Sequence, residues 1–99
     1  MIRFAKARYK DAEKLTEVQI KTFDDDARKF FGKPEGGPPG YNSVPWQRMI
    51  MKKGFYYKIL AGNTIIGGII VFKVKPGHYN LGRIYIDPEY QIKASARKR

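Results

Sequence analysis

Between Phe55 and Asp87 the chain has two places to turn back on itself, and both are tight. Phe55 to Ala61 reads as an alternating strand. Gly62-Asn63 follows it, a two-residue hairpin signal whose backbone twist matches that of the flanking strands. A β-branched run from Thr64 to Val74 pairs back, Lys75-Pro76-Gly77 makes the next turn, and His78 to Asp87 is the returning strand. Strands joined by turns this short are antiparallel neighbours, because a parallel crossover needs a dozen or more residues. A third of the chain is therefore committed to a meander, and the preceding segments must cover one of its faces.

Those segments read as one more strand and two helices. Ile2-Arg3-Phe4-Ala5-Lys6 alternates with period two. Asp11 is the expected cap of a helix whose apolar stripe is Ala12, Leu15, Val18 and Thr22. Asp24-Asp25-Asp26 are expected to break that helix, as a solvated cluster at its end. Gly32 to Asn42 (GKPEGGPPGYN) holds too much Gly and Pro for helix or strand, and Phe30, Phe31 and Tyr41 at its margins favour an ordered lid. Ser43 caps a second helix with Pro45 in its first turn, an inner face of Trp46, Met49 and Ile50, Lys52-Lys53 at its negative end and Gly54 as its stop. The order is β-α-α-β-β-β: one α+β domain over residues 1–99, an antiparallel four-stranded sheet with two helices.

Composition removes several functions. With no cysteine there is neither a disulfide framework nor a thiolate metal site, and the single histidine, His78, makes no zinc cluster by itself; it reads as a partly exposed structural residue. No apolar run reaches the roughly 20 residues of a membrane span, and the N-terminus lacks a signal-peptide core, so a cytoplasmic protein is expected. The net charge of +11 attracts anions of several kinds. Four of its sources, Lys93, Arg97, Lys98 and Arg99, lie in the last seven positions.

The N-terminal strand, the helix starting near "DAEKL", the variable loop with its second helix, and the meander ending in "LGRIYIDPEYQ" before a basic Gln-x-x turn resemble the GNAT superfamily of acetyl-CoA-dependent N-acetyltransferases. The resemblance covers essentially the whole chain and corresponds to the first half of that family's domain. It implies acetyl-CoA as cofactor and an amine as acceptor. The family's phosphate loop reads Gln/Arg-x-x-Gly-x-Gly/Ala, with backbone N–H groups aimed at the pyrophosphate and no side chains to hold the oxygens off. Here its positions are Gln91, Ile92, Lys93, Ala94, Ser95 and Ala96, with alanine where the first glycine is expected. One nucleotide inserted in an A-rich run that can encode Ile92-Lys93 would restore Gln-x-x-Gly-x-Gly. A frameshifted, prematurely ended and catalytically impaired acetyltransferase domain is therefore expected; a natural short form or a segment of a longer chain is the alternative.

The resemblance also implies roles. The thioester is expected along Arg83 to Asp87, where a bulge frees main-chain groups, with the backbone of Ile84, Tyr85 and Ile86 holding the pantetheine arm and an N–H polarising the carbonyl. Gln91, Lys93, Ala94, Ser95 and Ala96 are expected at the phosphates. Asp24, Asp25, Asp26, Glu35 and Asp87 are the nominees for general base, and nothing in the sequence ranks them. Tyr85 or Tyr90 serves as acid only in a special geometry; packing is their ordinary role, as it is for Trp46. An open edge and an uncovered apolar face are expected to drive homo-oligomerisation. The second reading is a small basic nucleic-acid-binding module, with Tyr56, Tyr57, Tyr79 and Tyr85 as stacking groups.

Overall fold

The computed structural model describes residues 1–91. Its elements are β1 (Ile2–Lys6), a 3-10 turn (Tyr9–Asp11), α1 (Ala12–Phe31), α2 (Val44–Lys53), β2 (Phe55–Ala61), β3 (Thr64–Lys75) and β4 (His78–Ile86). The strands form one antiparallel sheet in the order β1-β2-β3-β4, leaving β1 and β4 as its edges. Both helices cover the same face. Their core contact consists of Leu15 and Val18 from α1, Ile50 from α2, and Tyr56, Ile70 and Tyr85 from the sheet. Among the described residues no helix is long and apolar enough to cross a membrane.

The strand boundaries agree with the expected ones to within a residue, and three details differ. First, α1 does not stop at Asp24. It runs to Phe31 and ends at Gly32, whose φ of 65° is the left-handed conformation that glycine adopts without a Cβ clash. The aspartates sit within the helix because each of two has a partner there: Asp25 reaches Lys29 one turn on at 3.1 Å, and Asp24 accepts from the loop beyond. Second, Asp11 holds the N-cap position of α1 without capping it. Its Oδ2 instead accepts from the Arg8 N–H and from Lys58 Nζ on β2, both at 2.8 Å. Third, Met49 is exposed, and the inner face of α2 is Gln47 and Ile50 with Trp46 and Met51 packed beside them. Ser43 does cap α2, its Oγ accepting from the Trp46 N–H at 3.2 Å.

Two glycines in β3 decide how closely β4 can approach. A Cβ on Gly67 would meet the carbonyl oxygen of Tyr85, and one on Gly68 would meet the Tyr85 hydroxyl and ring. The Gly67-Gly68 pair thus makes room for Tyr85 to lie across β3 and reach the helices.

Candidate functional site

The N–H of Asp87 donates to the Ile66 carbonyl at 2.7 Å, and this bond fixes the alternation along the end of β4. A strand residue directs its N–H and C=O to one side, and the next residue to the other. Tyr85 therefore turns its main-chain groups to β3, while those of Ile84 and Ile86 face the open edge. The Ile86 carbonyl is already engaged, accepting from Gln91 Nε2 at 2.6 Å and from Thr22 Oγ1 at 3.2 Å. What the edge offers is the N–H and C=O of Ile84 and the N–H of Ile86. The register shift expected between Arg83 and Asp87 falls slightly earlier: Ile70 pairs with Arg83 and Val71 with Leu81, so Gly82 is the extra residue of a β-bulge.

Behind that edge lies a buried polar relay that sequence reasoning missed. The Tyr56 hydroxyl donates to Gln47 Oε1 at 2.6 Å, accepts from Gln19 Nε2 at 3.1 Å, and lies 2.6 Å from the Tyr85 hydroxyl. Gln47 Nε2 donates to the Gly40 carbonyl at 3.0 Å. Arg83 closes the set: one guanidinium nitrogen donates to Gln19 Oε1 at 3.1 Å, another to the Pro39 carbonyl at 3.0 Å, and the group stacks 4.5 Å from the Trp46 ring centre. Burial pushes the Tyr56 pKa up to about 12 and that of Tyr85 well above the ordinary tyrosine value. Both hydroxyls therefore stay protonated near neutral pH and serve as hydrogen-bonding groups rather than bases. A signal was available in the sequence: Gln19 lies beside Leu15 and Val18, and Gln47 beside Ile50, on the inward faces of their helices, where a long amide needs a partner.

The nominees for general base separate. Asp24 Oδ1 accepts from the Gly36 N–H at 2.9 Å and the Tyr41 hydroxyl at 2.8 Å, which ties the Gly/Pro loop to α1. Asp25 is paired with Lys29 at 3.1 Å. Asp87 accepts from Lys21 Nζ at 3.1 Å and from the Glu89 N–H at 3.0 Å, capping a helical turn over 88–91. Glu35 is exposed. Asp26 alone among these lines a cleft of about 490 Å³, between the last turns of α1 and the loop, with Phe23, Phe31, Lys33 and Gly37. The loop is folded against the body, as an ordered lid requires. His78 is exposed.

Of the expected phosphate positions, Gln91 is the one described, and its side chain is turned back onto the Ile86 carbonyl. Lys93, Ala94, Ser95 and Ala96 lie outside the described residues. Tyr56 and Tyr85, expected among the stacking groups of a nucleic-acid module, are buried on the helix side, so neither can stack on a base. Tyr57 and Tyr79 remain exposed on the opposite face.

No protein-family model matches the chain, and no curated protein matches it. Solved structures do. The PaiA N-acetyltransferase from Thermoplasma acidophilum, in complex with coenzyme A, matches 99% of this chain and 70% of its own at a TM-score of 0.72 and 18% identity. An acetyltransferase of the GNAT family from Staphylococcus aureus Mu50 matches 99% of this chain and 61% of its own, at 0.60 and 14%. The spermidine N-acetyltransferase from Vibrio cholerae, in complex with coenzyme A and spermine, matches 98% and 57%, at 0.55 and 15%. The chain thus spans 57% to 70% of the length of these proteins. At such identities the likeness is one of fold: the described residues have the α+β fold of the GNAT acetyltransferases, four antiparallel strands with their helices included.

Proposed function

We propose that these 99 residues form the N-terminal part of an acetyl-CoA-dependent N-acetyltransferase domain, one that binds the pantetheine arm along β4 and transfers the acetyl group to an amine. One observation carries this reading: at the free edge of β4, the N–H and C=O of Ile84 and the N–H of Ile86 point away from the sheet, backed by a side chain, Tyr85, that the relay holds in place. A thioester carbonyl lying there would receive an N–H as negative charge develops on its oxygen. Asp26 is the nominee for the base that takes the amine's proton, since it borders the cleft beneath the loop. Gln91, Lys93, Ala94, Ser95 and Ala96 take the phosphate positions, with Ala94 weakening the grip by its methyl group. The described residues supply one wall of the arm's cleft, and we assign the other to a second copy meeting β4, which makes the active form a homo-oligomer, in the cytoplasm.

Acetyl transfer by this chain alone is accordingly impaired, and coenzyme A affinity is expected on the order of 1 mM, about −4 kcal/mol. Titration of the isotope-labelled chain with coenzyme A, followed by backbone amide shifts, tests both parts. Shifts centred on Ile84, Ile86 and residues 87–91 support the site. Shifts elsewhere, or none at millimolar ligand, reject it, and tight stoichiometric binding in calorimetry rejects the impairment.

A further inference from the structure

A second cleft, of about 370 Å³, lies between the 3-10 turn that follows β1 and the exposed side of α2. That volume suits one small ligand. Tyr9 from the turn lines it together with Pro45, Arg48, Met49 and Lys52 from α2. None of these belongs to β4, to the Gly/Pro loop or to the sheet. Met49, expected on the inner face of its helix, is 41% exposed and borders this cleft instead of the core.

The cations here are held in place without being paired. The Arg48 guanidinium stacks on the Tyr9 ring, its carbon 4.2 Å from the ring centre. Its Nε is buried with no hydrogen-bond partner, whereas its two terminal nitrogens, also without a partner among the described residues, reach solvent. Lys52, one turn on, is exposed and makes no ion pair among the described residues. Like charges four residues apart on a helix repel, and no carboxylate lines the cleft. Helix α2 carries no acidic residue, and Asp11, two positions from Tyr9, is already engaged by Lys58 and the Arg8 N–H. An anion bridging the Arg48 terminal nitrogens and Lys52 would relieve the repulsion. The ring that deprives Nε of a partner also fixes the plane in which the guanidinium presents its remaining donors.

We propose that this cleft binds a small phosphate monoester, with the phosphate between Arg48 and Lys52 and the organic part against Met49 and Pro45. Two cations favour a dianion over a carboxylate, and a guanidinium takes two phosphate oxygens in parallel while leaving a third for the lysine. A nucleic-acid strand fits less well, because it needs cations repeated along a groove, and here they converge on one cleft. The proposal uses no residue of the β4 edge and does not depend on acetyl-CoA.

Amide shifts of the isotope-labelled 99-residue chain, titrated with phenyl phosphate at constant ionic strength, test it. Saturable shifts are expected at Tyr9, Met49 and Lys52 with a Kd on the order of 1 mM, and benzoate is expected to bind about tenfold more weakly. Arg48→Lys is expected to loosen phenyl phosphate about tenfold, because lysine has no fork to offer, and Lys52→Gln to loosen it severalfold. Lys52→Gln changes an exposed, unpaired side chain, so it carries the test should Arg48→Lys melt early. The idea is overturned by shifts that stay linear with ligand, by shifts spread over the other lysines, by shifts centred on Ile84 and Ile86, or by an affinity that neither variant changes. Inorganic phosphate or benzoate bound as tightly as phenyl phosphate would overturn the monoester as the ligand class. Displacement of phenyl phosphate by a lower phosphate concentration of twelve-nucleotide oligo(dT) would reassign the cleft to a nucleic-acid backbone, and the same displacement by phosphatidic acid vesicles would reassign it to a lipid headgroup.

Discussion

The hydroxyl oxygens of Tyr56 and Tyr85 lie 2.6 Å apart, both on buried side chains, at the point where α1 and α2 meet the sheet. The two are not equivalent. Tyr56 also bonds Gln47 and Gln19, so Tyr56→Phe takes the partner from two buried amide atoms, Gln47 Oε1 and Gln19 Nε2. The expected cost is about 1–3 kcal/mol of unfolding free energy, and Tyr85→Phe is expected to cost less, near 1 kcal/mol. Urea titrations of both variants and of the double variant measure the coupling. Equal single-variant costs that simply add would mean the hydroxyls do not share one network.

The same pair predicts an alkaline limit. Burial, partly offset by the Tyr85 hydrogen bond and by Arg83, pushes the Tyr56 pKa up to about 12, while an unfolded tyrosine titrates near 10. The folded chain thus holds this proton more tightly than the unfolded one. Its contribution to stability is complete below about pH 10 and is lost as pH rises through about 12. Urea midpoints are expected to fall across that window, with tyrosinate absorbance rising as the protein unfolds. Tyr56→Phe should flatten the fall, which separates this effect from that of lysines titrating in the same range. A midpoint that stays level between pH 10 and 12 in the unaltered protein contradicts it.

Close approach of β4 to β3 gives a third expectation. At Gly67 an added methyl group would press on the Tyr85 carbonyl oxygen, which is backbone and can retreat only by moving the strand. At Gly68 it would press on the Tyr85 ring, which can retreat only by leaving the relay. Both alanine variants should destabilise by about 1–3 kcal/mol, Gly67→Ala at the upper end. The order is checked by thermal melts of the two proteins, and a neutral Gly67→Ala would show that the strands are less closely held.

What was legible in the sequence follows from how far each signal acts. Gly62-Asn63 and Pro76-Gly77 set the hairpins by the conformations of the turn residues themselves, and Ser43 caps α2 three residues away, so these elements could be read one window at a time. Helix α1 could not. Asp24 is held by Gly36 and Tyr41, 12 and 17 positions on, partners that a local reading of three consecutive aspartates does not contain. Asp11 shows the same failure, because its strongest partner, Lys58, is 47 positions away. Within the candidate site, Ile84 to Ile86 are marked by the family resemblance of the strand ending in IYIDPEYQ, whereas the relay exists only once α1, α2, β2 and β4 have packed. The bulge at Gly82 is likewise a matter of pairing with β3.

Arg83 supplies the last prediction, because one guanidinium joins three parts of the molecule at once: β4, the Gln19 amide on α1, and the Pro39 carbonyl of the loop. Lysine keeps the charge but has no planar fork with which to serve both acceptors, and it stacks less well on Trp46. Arg83→Lys is therefore expected to lose about 1–3 kcal/mol and, more tellingly, to loosen the loop before the sheet. The Tyr41 N–H donates to Pro38 and the Ser43 N–H to Gly40, each at 3.1 Å, so their hydrogen exchange reports on the loop directly. Their protection should drop at least tenfold relative to that of the Tyr57 amide in β2. If all three amides lose protection in step, Arg83 supports global stability alone and does not hold the lid.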